Sequence, residues 1–291
     1  MIGVIGDIIL DKYIHTSSVR NSPECDTAPV GVVYNYEYKL GGAANVALNI
    51  MKLGLDVKLF GACSDTKTLE LIHGNKIPTS LNSTANSIIK TRIYVNDVYY
   101  IRVDEESTIK HDEQRLIKSI GKEYSTIVVS DYNKGTVTDF AGIRKSGART
   151  IVDVKSNFNK YRGAYILKPN IKEYYAEIGV PMSKNIEYAV SKILSSDQAS
   201  DLLDKLDIGY MVITAGPAGA ILVGRDNITQ IPTIEVPVVD VTGAGDTFIA
   251  ALAVAIEDEN VSLTQAVEFA NLAAAVSVTK RGTSYVNRNE I

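Results

Sequence analysis

STIVVSDY (Ser125–Tyr132), ARTIVDVK (Ala148–Lys155), AYILKPN (Ala164–Asn170) and IGYMVITAG (Ile208–Gly216) recur through the second half of the chain as short Val/Ile-rich runs bounded by turn residues. Each has the length and β-branched content of a strand. Their unbroken apolar character predicts burial on both faces. Helix-length segments lie between them: Val137–Ser146, Ile171–Ile178 and Lys184–Leu206. That alternation predicts an α/β fold with a mostly parallel central sheet. Upstream, IGVIG (Ile2–Gly6) and VKLFGAC (Val57–Cys63) read as further strands. GGAANVALNIMKLG (Gly41–Gly54) reads as a helix with glycines at both ends. VGVVYNYEYKL (Val30–Leu40) and a hairpin over Ser87–Glu106, turning at Asn96-Asp97, break the alternation. These stretches, within about 12–40 and 87–105, predict a small β-sheet lid over the binding edge of a single domain spanning 1–291.

The 291 residues are 45% apolar and 22% charged, with a formal net charge of -4. Such a composition is that of a globular protein. The acidic balance argues against a nucleic-acid partner. The 16 tyrosines without a tryptophan read as lid packing rather than a base-stacking platform. Cys25 and Cys63 share no metal-ligand spacing, and the reading is a reduced, cytoplasmic protein. The apolar start meets Asp7 and Asp11 too early for a signal peptide. The longest apolar run, Phe248–Ile256, ends in EDEN and is too short for a membrane span.

DVTGAGDTF (Asp240–Phe248) opens directly into that apolar run. A helix N-terminus carries unpaired N–H groups and partial positive charge. Glycines at 243 and 245 let an anion reach those amides, so Gly243, Ala244, Gly245 and Asp246 form a candidate anion cradle. The spacing is not that of a P-loop. Asp246 reads either as a helix cap or as a general base holding a substrate hydroxyl. The helix mouth favours its ionised form. Asp240, before the turn, reads as a loop organiser or cation contact.

DVTGAGDTF and GGAANVALNIMKLG resemble the two signatures of the PfkB, or ribokinase-like, family of carbohydrate kinases. GDIILDKY, RNSPECDTAPV, SDYNKG, KYRGAYILKPNIKEYYAEIG and KRGTS resemble, more narrowly, the kinase half of the bacterial ADP-heptose synthesis enzymes. The resemblance runs from Gly6 to about Val286. It implies a three-layer α/β/α sandwich with a β-lid. It implies ATP-dependent phosphorylation of D-glycero-D-manno-heptose 7-phosphate at C1, with Mg²⁺ and a monovalent cation, K⁺; the alternatives are a PfkB-type kinase for another sugar or sugar phosphate, or a non-catalytic sugar- or nucleotide-binding relative. The stretch from about Thr66 to Ser83 looks shorter than its counterpart, which implies a lost or trimmed helix. The chain stops at Ile291 without a nucleotidyl-transferase half, so only the kinase step is expected.

The resemblance also implies site residues. Asp7 and Asp11 would bind sugar hydroxyls, the alternative being a solvated loop. Gly41, Gly42 and Asn45 would admit and orient the sugar, the alternative being a tight helix entry. Arg20, Lys90, Arg92, Arg102 and Lys134 are candidate anchors for a substrate phosphate, because a guanidinium matches phosphate geometry. Asn170 and Glu173 fit an Asn-x-x-Glu motif for Mg²⁺ and phosphate, and equally a helix cap with Glu in its first turn. Thr214, Gly216 and Gly219 would follow the nucleotide phosphates, and Asn271 would line the adenine. Asp240, Thr242, Ser277 and Gly282 would surround the monovalent cation, mainly through carbonyls. Exposed lid edges predict a homodimer.

Overall fold

The computed structural model describes residues 1–291 except the side chains of Ser18 and Val19. The chain starts with β1 (Ile2–Gly6), leaves it through β2 (Ile8–Ser22) and β3 (Cys25–Gly42), and enters α1 (Ala43–Lys52). It continues through β4 (Val57–Ala62), α2 (Thr66–Gly74) and β5 (Thr79–Asn82) to the hairpin of β6 (Ile89–Val95) and β7 (Val98–Glu105). Then follow α3 (Glu113–Lys118), β8 (Thr126–Ser130), α4 (Phe140–Arg144), β9 (Arg149–Asp153), β10 (Ile166–Lys168) and α5 (Ile171–Glu177). The remainder is α6 (Ile186–Leu194), α7 (Gln198–Lys205), β11 (Tyr210–Thr214), β12 (Ala220–Val223), β13 (Ile228–Ile231), α8 (Ala244–Ala255) and α9 (Leu263–Val278).

The central sheet has nine strands in the order β13-β12-β11-β10-β9-β8-β1-β4-β5. Pairing is parallel from β5 to β11, and β12 and β13 run antiparallel at one edge. Alternate residues of each strand feed two separate cores. Val4, Val128, Ile151, Ile166 and Val212 face α1, α8 and α9. Ile5, Val129, Val152, Leu167 and Ile213 face the layer of α3 to α7. Burial of each such side chain stabilises by about 1.5–3 kcal/mol. This is the expected α/β/α sandwich. The turn of β6 into β7 sits at Asn96 and Asp97, both with positive φ (48° and 62°), the backbone a two-residue hairpin requires. The second sheet has four strands, β3-β2-β6-β7, with β3 and β7 as its edges.

Two local expectations change. Lys184–Leu206 is two helices, because Ser195, Ser196 and Asp197 suit caps and turns better than a helix interior. The helix expected over Val137–Ser146 starts only at Phe140, where the Asp139 carboxylate caps the Gly142 N–H. A helix does survive in the short 66–83 stretch: α2, capped by Asp65 through the Thr68 N–H. Among the described residues no helix is long and apolar enough to cross a membrane.

Candidate active site

The strand order reverses at β1, between β4 and β8. Open α/β sheets leave a crevice at the carboxyl ends of such strands. Three pieces of chain meet there: the start of α1, the turn 131–136 after β8, and the start of α8. Asp246 is their meeting point. It is 4% exposed. Its Oδ2 accepts from Asn45 Nδ2 at 3.0 Å, and its Oδ1 accepts from the Tyr132 hydroxyl at 2.8 Å. Burial raises its pKa to about 6, with Asp153 adding to the effect and Asn45, Tyr132 and Lys155 opposing it. The helix mouth alone favoured the ionised form; loss of water outweighs it.

Gly243 caps α8 in the left-handed conformation, φ 83°. A Cβ there would stand 3.2 Å from Asn45 Nδ2 and 3.1 Å from Thr283 Cγ2, so glycine also serves close approach. The expected cradle is one amide smaller. Ala244 N–H donates to the Val241 carbonyl at 3.3 Å, while among the described residues no hydrogen bond uses the N–H of Gly243, Gly245 or Asp246. Lys168 stands against this turn, its Nζ 3.7 Å from where a Cβ on Gly245 would be. Its ammonium is 3.0 Å from Asp153 Oδ1, and Lys155 Nζ is 3.1 Å from the same oxygen and 3.4 Å from Glu173. Burial works against both charges of this cluster, yet the pairing dominates: Asp153 stays below and Lys155 above its ordinary pKa.

A cavity of about 500 Å³ opens between the small sheet and the segments 239–242 and 281–282. Lys39, Arg92, Arg102 and Arg281 line it together with the carboxylates Glu37, Asp97 and Asp240. Asp11, 4% exposed, lies behind its lining and is tied to it through Arg92. One Asp11 oxygen meets Arg92 Nη1 at 2.6 Å and the other accepts from the Thr283 hydroxyl at 2.6 Å. A Cβ on Gly41 would lie 2.4 Å from that second oxygen, so only glycine fits there. Gly42 is the N-cap of α1, which brings Asn45 into place. Asp7 is a correction. It is wholly buried, and its carboxylate accepts the N–H groups of Tyr132, Lys134 and Thr136. It holds the 131–136 turn and has no surface left for a sugar hydroxyl. Of the expected phosphate anchors, Arg92 and Arg102 face the cavity, each already paired with a carboxylate: Arg92 with Asp11 at 2.6 Å and Arg102 with Asp104 at 2.8 Å. Lys134 pairs with Glu106 at 2.5 Å, Lys90 lies 4.0 Å from Glu106, and Arg20 is exposed on β2 opposite Val30, outside the residues lining the cavity.

On the other side of residues 240–245 lies a second cavity of about 530 Å³. Thr214, Gly216 and Gly219 form one wall, and Val236, Val241, Phe248, Ala274 and Ala275 form apolar faces. Asn271 lines it too, with its amide donating to the Ile231 and Pro232 carbonyls at 3.1 and 3.2 Å. Asn170 and Glu173 realise the capping reading in full: each side chain accepts the other's backbone N–H, at 2.9 and 2.6 Å. Asp240 ties two loops together. Its oxygens accept from Thr242 N–H and hydroxyl and from Gly282 N–H, and these bonds outweigh burial and hold its pKa below the ordinary value. Ser277 donates to Ala274 within α9. Among the described residues no group of three or more His, Cys, Asp or Glu could hold a metal. With Asn170 and Glu173 capping each other, a Mg²⁺ here suits phosphate oxygens and water more than a protein cage.

Residues 2–290 match the family description pfkB family carbohydrate kinase. The chain belongs to this family. As a pfkB kinase, it is 35% identical over 309 residues to the bifunctional protein HldE of Psychromonas ingrahamii, with 99% of this chain and 62% of that protein covered. It therefore spans less than two thirds of that relative. Phosphofructokinase-2 from Escherichia coli in complex with potassium superposes with a TM-score of 0.81 at 18% identity, covering 100% of this chain and 96% of that one. Arabidopsis thaliana ribokinase complexed with ribose and ATP gives 0.72 at 21% identity, covering 99% and 96%. The fold is thus ribokinase-like, and the protein is a carbohydrate kinase.

Sequence reasoning did not single out several residues that this pfkB kinase brings to the cleft. Lys168 stands two places before Asn170 in a run already read as strand. Thr283 lies in KRGTS and Tyr132 in SDYNKG, both read as motifs without those residues being chosen. Lys39 and Arg281 reach one another, Lys39 Nζ donating to the Arg281 carbonyl at 2.7 Å. No local signal marks that contact.

Proposed function

We infer that this kinase transfers the γ-phosphoryl group of ATP to the C1 hydroxyl of D-glycero-D-manno-heptose 7-phosphate. One observation carries the reading: a buried carboxylate, Asp246, stands beside unpaired amides at the head of α8, next to an apolar cavity, with a polar, charge-lined cavity beyond the 239–242 segment. The HldE relatives support a sugar that already bears a phosphate, and the four cationic side chains of the first cavity, set among three carboxylates, offer it partners. Asp11 and Asn45 orient the hydroxyls. Arg92, Arg102, Lys39 and Arg281 face the 7-phosphate, and Arg20 is not needed for it. The apolar cavity beside Ala274 and Ala275 takes the adenine, and Thr214, Gly216 and Gly219 follow the phosphates. The C1 oxygen bonds to the γ-phosphorus as its bond to the β,γ-bridging oxygen breaks; ADP leaves with that electron pair, and the hydroxyl proton passes to Asp246. The free amides of Gly243, Gly245 and Asp246, with Lys168 behind them, stabilise charge on the moving phosphoryl. A Mg²⁺ held through water near Asn170 and Glu173 would supply charge neutralisation for the phosphates. Asp240 is saturated by local donors, so K⁺ at 240–242 and 277–282 would take backbone carbonyls.

An ATP-consumption assay across heptose 7-phosphate, fructose, ribose and fructose 6-phosphate tests the acceptor. Preference for heptose 7-phosphate is expected, and preference for another sugar would replace it. Asp246→Asn is expected to abolish turnover while ATP affinity stays within a few-fold. Retained turnover would remove the base.

A further inference from the structure

Both oxygens of Asp246 are engaged by the protein, and the partner of Oδ1 is unusual in how firmly it is held. Tyr132 sits on the 131–136 turn, clamped from two sides by buried carboxylates. Asp7 takes the N–H groups of Tyr132, Lys134 and Thr136. Asp131, also without exposed surface, takes the Asn133 N–H at 2.7 Å and the Tyr161 hydroxyl at 2.7 Å, and pairs with Lys160. Both buried carboxylates are hydrogen-bonded, which offsets the cost of burying them and holds the six-residue turn in place. Two cations stand over the tyrosine ring: Lys90 Nζ from β6 is 5.3 Å from its centroid and Lys155 Nζ is 4.9 Å away. Its hydroxyl donates to Asp246 Oδ1 at 2.8 Å.

We propose that Tyr132 is a positioning residue for phosphoryl transfer: its clamped phenol O–H fixes the rotation of the Asp246 carboxylate and favours the ionised form that takes the alcohol's proton. The proposal rests on Asp246 acting as the base. Other groups around the pair are charged too. From β9 and the residues after it, Asp153 disfavours ionisation of Asp246 and Lys155 favours it. Lys168 on β10 and Glu173 on α5 are paired with Asp153 and Lys155 respectively, and α1 presents only the neutral Asn45. Asp11 on β2 and Lys90 on β6 face the tyrosine. Tyr132→Phe leaves all of these in place and deletes one hydrogen bond.

The test is the pH profile of the single-turnover transfer rate, with ATP and heptose 7-phosphate, or with whichever sugar of the survey above proves the acceptor. Loss of a hydrogen bond to a carboxylate is expected to move the acid limb of Tyr132→Phe upward by about one pH unit. The variant is then about tenfold slower below the limb and only a few-fold slower above pH 8. An unmoved limb, or an equal loss at every pH, overturns the proposal. Asp246→Asn separates the two ideas. If it is inactive and the Tyr132→Phe limb stays put, only the tyrosine's role fails; if it stays active, the base itself fails.

Discussion

Asp246 is a carboxylate that the fold strips of water and then partly compensates. Its pKa near 6 means that it is a ready base above that pH and a protonated bystander below it. The rate should therefore fall as pH drops through about 6, which a kcat profile checks. The same shift acts on stability. The native pKa lies above the unfolded value of 3.8, so stability from this group is complete below 3.8 and is lost as pH rises through about 6. The loss is on the order of 3 kcal/mol at most. Asp246→Asn should accordingly melt higher than the parent at pH 8, with the gap closing as pH falls from 6 to 4. The Asp11–Arg92 pair makes the opposite point, since both partners are buried and one cannot be removed alone. Arg92→Met is expected to cost about 3–5 kcal/mol, read by denaturant unfolding, because Asp11 is left uncompensated. At this scale Asp246, Asn45 and Asp11 were legible because each stands inside a local motif. The partner of Asp11 was not: Arg92 follows it by 81 positions, and nothing local ties the two.

Among the elements, α8 carries most of the chemistry and shows how. It is apolar on nearly every side, and residues 246–254 are buried. A helix apolar all round has to be enclosed, and α8 packs against both α1 and α9. Its alanines let the neighbours come close, so the amides at its head are held in register with Asn45 on α1. Gly243→Ala tests this coupling. A left-handed alanine costs about 1–2 kcal/mol, and its Cβ would press on Asn45 and Thr283. A lower melting temperature together with reduced kcat/KM is expected. A change in melting temperature alone would show that the turn is only structural. The helix mouth was readable in TGAGD, since glycines and an apolar run are local features. The turning of the Ala244 amide onto Val241 depends on the path of the preceding loop.

For the whole molecule, the two sheets have different degrees of cover. The central sheet has helices on both faces. The small sheet leaves β7 exposed along its whole length and presents Val32, Tyr34, Tyr36, Val98, Tyr100 and Val103 to solvent on its two edge strands. Exposed apolar edge strands invite pairing. A homodimer through this sheet is expected, and sedimentation equilibrium should show it. Val98→Lys with Tyr100→Glu should yield a monomer; an unchanged mass would place any association elsewhere.

The chain by itself determined its layers and the identity of its chemical parts. Strand and helix follow from the period and length of apolar runs, and the glycine turn with its aspartate is written in consecutive residues. Only the tertiary structure decided what those parts do to one another. Asp7 looked like Asp11 in sequence, yet one is sealed beneath a turn and the other is paired with an arginine that lines a cavity. Tyr132 and Asp246, 114 positions apart, share a proton donor and acceptor because β8 and α8 end at the same crevice. Water exclusion and charge pairing depend on distance in space, and periodicity along a chain carries no record of it.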